Sequence, residues 1–72
     1  MAEYKYILFE EVETKGKTRR FNCLNKKSNF ILGEVIWVIG WRQYCFFPSG
    51  DTQFSVGCLN DVIDFIQKLK SS

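Results

Sequence analysis

Histidine is absent from these 72 residues, proline occurs once, and the longest apolar run stops at residues 35–40. Each shortage excludes something. Without histidine, the side chain that shuttles protons near neutral pH is missing. No glycine-rich phosphate loop or nucleophile elbow is present either. An apolar run that short falls well below the ~18 residues of a membrane-spanning helix. Met1-Ala2-Glu3-Tyr4-Lys5 alternates in character, so no secretory leader is expected and the cytoplasm is the expected compartment. Cysteine is scarce, odd in number and widely spaced: Cys23, Cys45 and Cys58 do not form a disulfide framework. A structural zinc site wants four ligands and a close cysteine pair, so no metal and no cofactor is expected.

Aromatic residues, by contrast, are plentiful. Seven Phe, three Tyr and two Trp suit a short chain that must fill a dense core with few side chains. A chain of this length buries only about 60% of the surface its unfolded form exposes, so net stability is small. One domain spanning residues 1–72 is expected.

The pattern reads as strands followed by a helix. Residues 4–13 form a first strand rich in Tyr, Ile, Leu and Phe, and the turn follows at Lys15-Gly16. Residues 19–25 form the second strand, closed by the polar cluster Lys26-Lys27-Ser28-Asn29. Residues 30–39 form the third and residues 42–47 the fourth, with a loop at Pro48-Ser49-Gly50-Asp51. Ser55 is the expected N-cap of a helix striped by Leu59, Val62, Ile63, Ile66 and Leu69 and widened by Phe65. Leu59, Val62, Ile66 and Leu69 are expected to pack it on the sheet. Asp61 and Asp64 lie early and Lys68 and Lys70 late, as the helix dipole favours. The expected fold is α+β: a four-stranded antiparallel meander with one C-terminal helix packed on one face, in the order β-β-β-β-α.

Two surfaces are candidates for function. The first is the hairpin of the third and fourth strands, carrying Trp37, Trp41, Arg42 and Tyr44. Trp, Tyr and Arg dominate binding hot spots because they bury much area for little entropy. Trp41 and Arg42 are the expected exposed pair, because Arg42 would be fully buried only if a carboxylate such as Glu34 paired with it. The third strand is apolar on both parities, and one helix cannot cover both faces. The remaining face is left for the loop of residues 49–54, a protein partner or a second copy of the chain, or is buried by strong twist that curls the sheet. The second candidate is the basic hairpin: Lys15, Lys17, Arg19, Arg20, Lys26 and Lys27 give residues 15–27 a charge of +6, against −3 over residues 1–14. That patch suits phosphates, and with Trp41, Arg42 and Tyr44 of the sheet stacking on bases it suits single-stranded nucleic acid. If Lys15-Gly16 is a two-residue loop, Glu11 lies across from Arg20 and Glu13 across from Thr18, and internal pairing neutralises part of it. No catalytic residue is assigned. The pairs Glu11/Glu13 and Asp61/Asp64 read as solvated surface, and Cys58, in the first helical turn, has no base near it in sequence.

The run Trp41-Arg42-Gln43-Tyr44-Cys45-Phe46-Phe47-Pro48, with Phe54 and the helix from Cys58-Leu59-Asn60-Asp61 to Leu69, resembles a family of short, uncharacterised bacterial and phage-encoded proteins. Gly33-Glu34-Val35-Ile36-Trp37 is similar to its preceding strand. The resemblance covers most of residues 18–70. It departs at Val38-Ile39-Gly40, where the family has a small or proline-containing segment. It supplies no active site, and implies a small accessory binder sooner than a metabolic enzyme.

Overall fold

In the computed structural model, residues 2–16 and 18–70 are described. Five strands and one helix follow one another: β1 (Ala2–Glu3), β2 (Ile7–Val12), β3 (Arg20–Asn25), β4 (Ile31–Val38), β5 (Gln43–Pro48) and α1 (Val56–Lys70). The strands form one antiparallel sheet in sequential order. The four-stranded expectation is therefore corrected to five. The strand expected over residues 4–13 shortens to β2, and residues 2–3, ahead of that range, form the additional strand β1, because the chain reverses at residues 4–6. Tyr4 N–H donates to the Ile7 carbonyl at 2.8 Å, and Ala2 comes to lie opposite Phe9. No glycine or proline marks that reversal, and Tyr4 and Tyr6 read as strand formers. Among the described residues no helix is long and apolar enough to cross a membrane.

The register alternation decides which residues meet the helix. Ile7 and Phe9 of β2, Phe21 and Cys23 of β3 and Val35 of β4 are fully or almost fully buried on one face. α1 closes that face with Val62 and Phe65. The Phe65 ring stacks on Phe9 and meets the edge of Phe21 with centroids 5.0 Å apart. The helix is thus rotated from the expected orientation. Phe65 is central, Ile66 and Leu69 are half-buried, and Leu59 is 45% exposed. Ser55 caps the helix as expected: its Oγ accepts from Cys58 N–H at 3.2 Å. No acidic residue lies in the first turn. Asp64 instead sits mid-helix, accepting from the Tyr4 hydroxyl at 2.8 Å and pairing with Lys68 at 2.9 Å.

Gly33 answers a steric demand. A methyl group there would lie 2.7 Å from the Phe46 ring and 2.6 Å from the Phe47 carbonyl oxygen. Phe46 lies over this bare stretch of β4 and meets Phe54 edge-on at 5.1 Å. Leu32 is the extra residue between the pairs Cys23–Gly33 and Leu24–Ile31. This bulge flips Ile31 to the face away from the helix.

Candidate functional site

Opposite the helix, the sheet is striped. A polar row, Glu10–Asn22–Glu34, crosses the middle of that face. Apolar rows flank it: Leu8–Leu24–Ile31 on one side, and Val12–Arg20–Ile36–Cys45 with a single charge on the other. Arg20 donates from Nε to Glu34 at 2.7 Å, folding its charge into the polar row. Glu34 is thereby engaged by Arg20 and not by Arg42.

At the β5 end the polar row gives out. Val38, Trp41, Cys45, Phe46 and Phe47 line an apolar hollow of about 360 Å³. Trp41 projects beside it, 69% exposed, from the loop joining β4 and β5. That loop is closed by Trp41 N–H to Val38 and Arg42 N–H to Ile39, both at 3.2 Å, and Arg42 takes a left-handed φ of 53°. Left-handed backbone is costly for a residue with a side chain, so the loop holds Arg42 in a conformation it would not choose.

The four residues singled out in this hairpin do not form one cluster. Trp37 and Tyr44 share the helix-side parity with Val35 and Phe46, and their rings meet edge-on at 5.2 Å. Both are half-buried. Trp41 and Arg42 are exposed, as expected. The residues that line the hollow with Trp41 are Val38, Cys45, Phe46 and Phe47, none of them among the site residues expected from the sequence. Period-two alternation along residues 43–47 places Cys45 and Phe47 together. Which face the helix would leave open is not written in that alternation.

The basic residues are spread out. The β2–β3 register pairs Val12 with Arg20 and Glu11 with Phe21, one residue off the expected pairing, because the connection is longer than two residues. Arg19, ahead of β3, reaches Glu11 with a forked contact, both bonds 3.0 Å. Those bonds hold the Glu11 carboxyl below the usual carboxylate range and raise the guanidinium further. Lys26 pairs with Glu3 at 3.3 Å. Lys15 lies at one end of β3, Lys26 and Lys27 at the other, about six residues or ~20 Å along the strand. Lys17 lies outside the described residues. At the second end, Lys5, Tyr6, Asn25, Lys26 and Lys27 surround a shallow hollow, with the Lys5 ammonium 5.3 Å from the Tyr6 ring centre.

The thiols differ. Cys23 is fully buried, and burial, with Cys58 nearby, pushes its pKa up to about 12. Cys45 and Cys58 are half-buried. Among the described residues no group of three or more Cys, Asp or Glu is placed to hold a metal ion. No family model, curated protein or solved structure matches this chain.

Proposed function

We propose that this chain is a small non-catalytic protein-interaction module that binds through the β5 end of its uncovered sheet face. The observation that carries this reading is the apolar hollow of Val38, Cys45 and Phe47 beside an exposed Trp41. In a chain this short, large apolar side chains left in water are lost to the core, so a contiguous group of them marks a contact surface. Trp41 and the neighbouring Arg42 are the residue types that anchor such contacts. An accessory binder of the cytoplasm also fits the resemblance of residues 18–70 to short bacterial and phage-encoded proteins. Nucleic acid is the weaker reading, because Arg19, Arg20 and Lys26 already face carboxylates.

The test places a photo-crosslinking benzoylphenylalanine at position 41 in the producing cell. Irradiation is expected to yield a discrete protein adduct that disappears when Phe47→Asp is added and the helical circular dichroism is unchanged. Adducts to nucleic acid alone, or adducts that survive Phe47→Asp, overturn the reading.

A further inference from the structure

Ser49 N–H donates to the Leu32 carbonyl at 2.9 Å. From that pair the register runs on with Phe47 opposite Glu34, Cys45 opposite Ile36 and Gln43 opposite Val38. Hydrogen-bonded pairs alternate along an antiparallel ladder with pairs that make no bond. Residues 43, 45, 47 and 49 therefore turn their backbone groups inward to β4. Tyr44, Phe46 and Pro48 turn theirs outward, because β5 is the edge of the sheet. No other backbone bond among the described residues ends on Tyr44 or Phe46. The strand Gln43–Pro48 carries no charge, so the usual guard of an exposed edge is missing except for Pro48.

We infer that the partner at this end is a second copy of the chain, its β5 lying antiparallel to this one across a two-fold axis at Cys45. The inference rests on the protein-binding reading above and names the partner. Three features select this occupant and this register. With the axis at Cys45, Tyr44 of each copy faces Phe46 of the other, and both N–H and both C=O groups of the two residues find partners. Moving the axis to Phe46 sets Tyr44 against Pro48, which has no N–H, and leaves the Tyr44 carbonyls without a donor. The pair at the axis is then a non-hydrogen-bonded one, where strands come closest, about 4.5 Å between Cα atoms. The smallest side chain of the strand, Cys45, occupies it. Finally, the same register puts Phe47 of the second copy opposite Gln43, beside the hollow that Trp41 flanks. The opposite edge of the sheet, β1, is only two residues long, so β5 has little to gain by pairing with it, and the assembly closes as a dimer.

Cys45 supplies a direct reporter. Across a non-hydrogen-bonded pair the two Cα atoms lie within the range a disulfide spans. Two Cys45 thiols would give up two protons and two electrons to added diamide and form one S–S bond. Sedimentation equilibrium of the full chain is expected to show a monomer–dimer equilibrium. Diamide should trap the dimer covalently in the parent and in Cys58→Ser. Cys45→Ser should lose the covalent dimer and keep the non-covalent one. Cys45→Lys, which sets two like charges across the axis, should sediment as a folded monomer. Amide exchange provides an independent reading: Tyr44 and Phe46 should exchange about tenfold or more slowly at dimer-forming concentrations, while Gln43 and Cys45 change little. A chain that stays monomeric at every concentration overturns the inference, as does a dimer that survives Cys45→Lys or crosslinks through Cys58. If the chain is monomeric and the position-41 probe still captures a different protein, self-pairing fails while the protein-binding reading stands.

Discussion

The Phe65 ring of α1 lies flat on the Phe9 ring of β2, centroids 4.0 Å apart and planes 4° from parallel. Phe21 meets the same Phe65 ring edge-on, so one helical side chain joins two strands. Phe65→Ala should cost about 3–5 kcal/mol, a large share of what so small a domain has. Leu59→Ala, at an exposed position of the same helix, should stay within about 0.5 kcal/mol. Thermal melts of both variants check the orientation of α1. Equal losses at the two positions would mean that the helix is rotated from where it is described.

Gly33 should be the glycine least open to change. Gly33→Ala brings a methyl group against the Phe47 carbonyl and the Phe46 ring, and should destabilise by about 1–3 kcal/mol. Gly40→Ala meets nothing within 4 Å and should be tolerated. Denaturant titration of the pair reads the difference.

The cysteines should divide by reactivity. With its thiol buried and its pKa pushed up to about 12, Cys23 should resist alkylation until the chain unfolds. Cys45 and Cys58 should modify first. Mass spectrometry after brief iodoacetamide treatment, with and without denaturant, assigns the sites. Early labelling of Cys23 would show that α1 opens readily.

Stability should depend on pH through Tyr4 and Asp64. Partial burial and the hydrogen bond to Asp64 raise the Tyr4 phenol above its ordinary value. Its contribution is complete below about pH 10 and is lost as pH rises from there through the folded value. Hydrogen bonds from Lys68 and Tyr4 lower the Asp64 carboxyl. Its contribution is complete above about pH 4 and is lost as pH falls through the lowered value. Melting temperatures across pH should fall on both flanks. Tyr4→Phe should flatten the alkaline limb and Asp64→Asn the acidic one. Curves that run parallel to the parent's would rule out the coupling.

Much of this architecture is legible in the residues. Runs of strand-forming residues bounded by turn clusters identify β3, β4 and β5, the Ser55 cap and helical spacing identify α1, and Lys26-Lys27-Ser28-Asn29 reads correctly as a turn. Asn25 Oδ1 accepts from Lys27 and Ser28 N–H, and Asn29 adopts φ 63°, a left-handed value that Asn tolerates well. What escapes reading depends on tertiary context. The reversal at residues 4–6 is held by Tyr4 reaching Asp64, 60 positions away, and no local signal announces it. The bulge at Leu32 likewise changes the side on which Ile31 emerges. At the candidate site, exposure of Trp41 follows from its place beside the turn. Its association with Val38, Cys45 and Phe47 depends on which face α1 covers, and both faces of β4 are apolar enough to have served.

The sequential strand order also sets a timetable. Each strand pairs with a neighbour already made, so the sheet's contacts are close in sequence and quick to form. Only α1 closes the face that holds Phe9, Phe21 and Val35, and a ribosome delivers it after all five strands. Throughout that interval the growing chain presents an aromatic, uncapped sheet to the cell. The stage of greatest exposure to chaperones and to misassembly thus lasts from the completion of β5 at Pro48 until the chain has been made through Lys70.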